Sequence, residues 1–149
     1  MKWCFVLIFV IGVQSRPRHF KRHATLGPEN ECLDSQGLTM KDIAPYVQKV
    51  TDLNNKMMGE YLVCVWKKRQ MITPDGEVSG ANIFRYLEDI YHKSSLSDGD
   101  KVEMRSACDE CEKVKDHDEG VLAIKIKNCI LEQIQKLSFL AKPKPSTLQ

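Results

Sequence analysis

The chain has 149 residues, 42% hydrophobic and 28% charged, enough for one domain with a real core. Its formal charge is +2, but Lys2 and the segment Arg16, Arg18, Lys21, Arg22 contribute five positive charges, which leaves the body from His23 onward at −3. A nucleic-acid binder would carry a basic face on its folded body, so that class is excluded and the basic segment is a solvated terminus.

The first 15 residues have the pattern of a secretion signal: Lys2, an apolar run from Phe5 to Val13, then Val13 and Ser15 at the small-residue positions of a cleavage site. The run is too short to span a bilayer, so the expected product is an exported, extracellular chain beginning near Arg16, with no stable membrane insertion. Residues 16–27 have mixed charge and no apolar period and are expected to be a disordered arm. From Pro28 the chain predicts a first helix, with Glu29 and Glu31 near its positive end, Cys32 and Leu33 on one face and Gly37 as the stop. Thr39 with Asp42 resembles a capping box for a short second helix through Ile43, Tyr46 and Val47, although Pro45 opposes it.

Met57, Tyr61, Cys64 and Val65 recur at helical spacing and predict a third helix over 53–68, closed by Lys67, Lys68 and Arg69. Thr73-Pro-Asp-Gly76 is a turn. Ser79 caps a fourth helix with Ile83, Phe84, Leu87, Ile90 and Tyr91 on its apolar face. Ser97 with Asp100 opens a fifth through Val102, Met104, Ala107, Cys108 and Cys111. A sixth runs from near Asp118 to about Phe139, followed by a Lys-Pro-Lys-Pro tail over 141–149. With no strand pattern, the expectation is an all-α single domain of six helices over 28–140.

The sequence has six cysteines, of which Cys4 leaves with the signal. Export exposes the remaining Cys32, Cys64, Cys108, Cys111 and Cys129 to an oxidising route, so two bridges and one spare thiol is the simplest count. Only Cys108 and Cys111 form a close pair, and no second pair completes a tetrahedral zinc site. Neither a metal nor a cofactor is expected.

This framework resembles the insect odorant-binding proteins, pheromone and general, which have six helices and six cysteines bridged first to third, second to fifth and fourth to sixth. In that family the second and third cysteines lie four apart and the last two nine apart. With Cys64 as the third, the second falls on Glu60; with Cys129 as the sixth, the fifth falls on Gly120. Both vacancies belong to one bridge, which matches the family's minus-C subgroup. The stretch Gly120-Val-Leu-Ala-Ile-Lys-Ile-Lys-Asn-Cys129 is also similar to the family's approach to its last cysteine. The resemblance implies bridges Cys32–Cys64 and Cys111–Cys129, with Cys108 the free thiol.

The resemblance implies a small hydrophobic ligand, a membrane odorant receptor as a further partner, and assembly no larger than a weak homodimer. The large residues on core-facing stripes are then the expected ligand contacts: Met57, Tyr61, Val65, Met71, Phe84, Leu87, Tyr91, Met104, Ile126, Ile130 and Phe139. A plain core explains each of them equally well; the methionines add adaptability and the tyrosines polar handles. His117, between Asp116 and Asp118, is a candidate pH switch, since carboxylates favour its charged form and the family is associated with ligand release at lower pH. No nucleophile elbow, phosphate-cradling loop or phospholipase-like calcium loop is present, so no enzyme is expected. The competing expectation is a secreted helical signalling protein that acts through its surface.

Overall fold

A computed structural model describes residues 26–141. The expected signal peptide at 1–15, nearly all of the arm at 16–27 and nearly all of the tail at 141–149 lie outside the described residues.

Seven helices follow one another among the described residues: α1 Gly27–Gln36, α2 Met40–Val47, α3 Lys56–Lys68, α4 Gly80–Ile90, α5 Asp98–Glu112, α6 Glu119–Gln135 and α7 Ser138–Ala141. Their starts are set by side chains that take up the orphan amides of a first turn. Thr39 and Asp42 form a capping box on α2, as Ser97 and Asp100 do on α5. Asn55, Ser79 and Asp118 each accept from the amide three residues on and so begin α3, α4 and α6. At the other end of α1, Gly37 takes φ +65°, and the amide of Leu38 donates back to the Leu33 carbonyl at 2.9 Å. That left-handed geometry is why glycine stands there.

Three expectations need correction. The third helix begins at Lys56 rather than at residue 53, because Asn55 is the cap and its side-chain Oδ1 accepts from the Met58 amide at 3.1 Å. The expected sixth helix does not continue to Phe139: the Ser138 amide and hydroxyl both donate to the Glu103 carboxylate of α5, at 2.9 and 2.7 Å. That capture takes Ser138 out of the α6 ladder, so the helices number seven rather than six. Ile90, expected on the apolar face of the fourth helix, is 46% exposed, as are Val47 of α2 and Val102 of α5 at 51% and 71%, because these helices pack on one side only.

α3 lies along α6 in the most extensive helix contact; α4 packs on α5, α1 on α3, and α5 on α6. α2 buries Ile43 alone. The α3–α4 link is a small reversal in which Ile72 and Val78 make an isolated antiparallel bridge around Thr73–Gly76. Two disulfides tie this arrangement: Cys32–Cys64 joins α1 to α3 and Cys111–Cys129 joins α5 to α6, while Cys108 is a buried free thiol. With 32 and 18 residues of separation, each cross-link contributes about 3–4 kcal/mol in the chain-entropy account.

The backbones of α3 and α6 approach each other closely at glycine. A Cβ placed on Gly59 would lie 3.1 Å from the Gly120 Cα and 3.3 Å from its carbonyl oxygen, backbone atoms that cannot swing aside. Overpacking costs about 1–3 kcal/mol, and the helix propensity of alanine returns roughly 1 kcal/mol. Gly59→Ala is therefore expected to lower stability by about 1 kcal/mol, read as a reduced urea midpoint with the slope unchanged; an unchanged or raised midpoint would show that the two backbones are not in contact.

A candidate ligand-binding interior

The expected ligand contacts come from every long helix except α1, and they meet in one apolar interior. Tyr61 and Val65 face it from α3, Met71 from the link, Phe84 and Leu87 from α4, Met104 from α5, and Ile126 and Ile130 from α6; all are buried. Met57, Tyr91 and Phe139 are partly buried and pack against the same cluster. Tyr91 and Phe139 meet edge to face with ring centroids 5.8 Å apart, which seats α7 against the end of α4. Arg105 closes one side, its guanidinium 3.9 Å from the centre of the Phe84 ring.

Burial, and then the negative charge of Glu29, push the Tyr61 phenol up to about 12, so it remains a neutral hydroxyl at any physiological pH. Tyr91 is raised by burial as well. The Cys108 thiol is pushed up to about 12, chiefly by burial, which keeps it protonated and a poor nucleophile. His117 is exposed in the link before α6. Its neighbouring carboxylates are both engaged: Asp116 accepts from Lys125 Nζ at 2.7 Å, and Asp118 caps α6 through the Val121 amide at 3.0 Å.

Two polar arrangements were not foreseen. Glu29 and Arg69, which look in the sequence like separate helix-end charges, form a two-pronged ion pair at 2.7 and 2.8 Å with side-chain exposures of only 10% and 16%. The guanidinium lies 4.8 Å from the centre of the Tyr86 ring, and Tyr86 meets Trp66 edge to face at 5.6 Å. The Trp66 indole then donates to the Ala123 carbonyl of α6 at 3.0 Å. This chain of contacts runs from α1 through α3 and α4 to α6. Opposite it, Asn128 exchanges two hydrogen bonds of 2.9 Å with the backbone of Thr51, and the buried Lys127 amine donates to Thr51 Oγ1 and to the Lys49 carbonyl oxygen. Burial lowers the Lys127 pKa. A Lys-Asn pair on a helix carries no sign in sequence of what it will clamp.

Two clefts open at the surface. One, of about 460 Å³, follows α6 past Val50, Val114, Asn128 and Leu131. The other, of about 570 Å³, lies between the first turns of α3 and α6 beside Leu53, Glu60, Val63 and Gly120. None of the expected contact residues lines either cleft, whereas Glu60 and Gly120 both lie in the second. Among the described residues there is no metal-ligating cluster and no helix long and apolar enough to cross a membrane.

Two disulfides holding helices around one apolar core place the chain in the class of small, disulfide-tied, all-helical domains. The profile of the PBP/GOBP family matches residues 22–133, and the chain belongs to that family, the pheromone-binding and general odorant-binding proteins. No curated protein and no solved structure matches the chain.

The ion pair supplies a direct test. Removing one member of a buried pair costs about 3–5 kcal/mol, with the low end applying here because both side chains keep some solvent contact. Glu29→Ala is expected to lose about 3 kcal/mol in chemical denaturation, against less than about 1 kcal/mol for Glu31→Ala, which breaks the exposed pair with Lys68. Equal losses in the two variants would show that the Glu29–Arg69 pair counts for no more than a solvated one.

Proposed function

We propose that this protein is an exported carrier that takes a small hydrophobic ligand, an odorant, pheromone or similar molecule, into the interior between α3, α4, α5 and α6 and moves it through aqueous extracellular fluid. The observation that carries the reading is the contiguous apolar interior with Met71 and Met104 fully buried in it, beside Met58 at 1% exposure. Methionine is unbranched and polarizable, so it repacks around varied shapes at low cost. Family membership supports the same reading.

Burial, not chemistry, does the work. Covering roughly 200–300 Å² of apolar ligand surface at about 25 cal/mol per Å² yields about 5–8 kcal/mol before ordering losses. Affinity near micromolar, about −8 kcal/mol, is the upper end of that range. The hydroxyls of Tyr61 and Tyr91 are the polar handles in this proposal, and His117 is the group whose protonation would alter the charge beside Asp116. Delivery to a membrane odorant receptor is the step such a carrier serves.

A displaceable hydrophobic fluorophore tests the carrier reading: stoichiometric uptake with a blue-shifted emission is expected, weakened by Leu87→Trp, which fills the interior. Absence of uptake by the folded chain would favour a protein that signals through its surface. The minus-C pattern generates a second expectation. Without a bridge at Glu60 and Gly120, α3 and α6 can separate at the second cleft, so the oxidised Glu60→Cys/Gly120→Cys chain is expected to accept a narrower set of displacing ligands than the parent. An identical ligand range with the bridge verified by mass spectrometry would remove the missing cross-link as a cause of breadth.

A further inference from the structure

Lys127 stands apart from the lysines around it. Lys67, Lys68, Lys113, Lys125 and Lys136 each hold a carboxylate at 2.6–2.8 Å, with side chains 36–69% exposed. Lys127 is 8% exposed, and its polar contacts are neutral acceptors, the Lys49 carbonyl oxygen and the Thr51 hydroxyl. A charge withdrawn from water with no opposite charge beside it favours the free amine, in keeping with the lowered pKa. A free lysine amine is a nucleophile toward carbonyl compounds.

Its position is as unusual as its chemistry. Lys127 lies three residues from Ile124 and from Ile130 on α6, so its stem shares a helical face with two buried isoleucines, one of them an expected ligand contact. On the other side, the 49–51 segment covers it, pinned by the paired bonds between Thr51 and Asn128. Thr51 is itself only 2% exposed. The amine therefore sits between the apolar interior and a polar strap that shields it from bulk water.

We propose that Lys127 is a covalent capture point for small apolar aldehydes, held as a reversible imine at the edge of the interior. The reading rests on the interior being a ligand site, and it names one chemical class of ligand. The amine nitrogen attacks the aldehyde carbon, forming the C–N bond as the carbonyl pair moves to oxygen. A proton passes from nitrogen to that oxygen, with the Thr51 hydroxyl, 2.9 Å from the amine, placed to relay it. Loss of water leaves the imine, so amine and aldehyde become imine and water with no oxidant or reductant consumed. The apolar tail lies among Ile126 and Ile130, and exclusion of water by the strap slows the reverse hydrolysis. Alcohols and esters of the same chain length bind by burial alone.

The experiment is reductive trapping. The folded chain is incubated with nonanal and cyanoborohydride, digested and mapped by mass spectrometry, while uptake of nonanol, which cannot form an imine, is measured in parallel. The expected result is a single nonyl addition on Lys127 in preference to the exposed lysines, loss of that adduct in Lys127→Arg, and nonanol uptake retained by the variant. Label spread over exposed lysines with Lys127 unmodified, in a chain that takes up nonanol, would overturn the proposal and leave the carrier reading intact. Absence of both nonanol uptake and a Lys127 adduct would overturn both. Should Lys127→Arg fail to fold, the adduct map of the parent chain decides alone.

Discussion

The crossing of α3 on α6 is the constraint on which the rest of the molecule depends. Their backbones meet at Gly59 and Gly120, where a side-chain carbon on Gly59 would come within 3.1 Å of the facing helix. From that point the helices are held together along their length by the Trp66 indole on the Ala123 carbonyl and by Lys67 paired with Glu119. The remaining long helices hang on this pair: α1 is bridged to α3, α5 is bridged to α6, and α4 packs on α5. Related proteins with the full cysteine set would place a third cross-link at Glu60 and Gly120, beside this contact. A disulfide restricts the unfolded chain whatever the folded state does, whereas packing at glycine holds only while the surfaces stay matched. In this chain the contact beside Glu60 and Gly120 rests on packing.

Buried charge is used in two different ways. Glu29 and Arg69 neutralise one another in a two-pronged geometry, and Tyr86, edge to face with Trp66, covers the guanidinium, so the pair registers α1 against α3. Among the described residues, Lys127 donates to neutral acceptors alone. A structural role alone would be served as well by a neutral donor of similar reach, which is why the amine reads as chemistry in reserve. Ligand selectivity in such a protein would have two sources: a methionine-rich interior that discriminates little by shape, and one amine that discriminates by functional group.

Much of the fold was legible because it is written in local chemistry. The capping residues Thr39, Ser79, Ser97 and Asp118, and the stop at Gly37, act over three or four residues, and each ended or began a helix where expected. The bridges Cys32–Cys64 and Cys111–Cys129 stand where the family resemblance put them. Family likeness supplied that pairing, since cysteine count alone left the partner of Cys129 open. The candidate interior was legible to the extent that helical periodicity marks a face. Val102 and Ile90 show where that rule fails, because an apolar residue on a stripe is buried only if another helix arrives to cover it.

By itself, then, the sequence determined an all-helical chain, the starts of most helices, the cysteines available for bridging, and a set of apolar residues able to line an interior. Only the tertiary structure decided that Ser138 would leave α6 for Glu103, that Glu29 would find Arg69 across forty residues, and that Lys127 would be buried under Thr51. The physical reason is range. Caps, turns and periodicity are fixed by neighbours within one or two turns of helix, whereas an ion pair, a captured amide or a desolvated amine exists only once distant segments have met and excluded water.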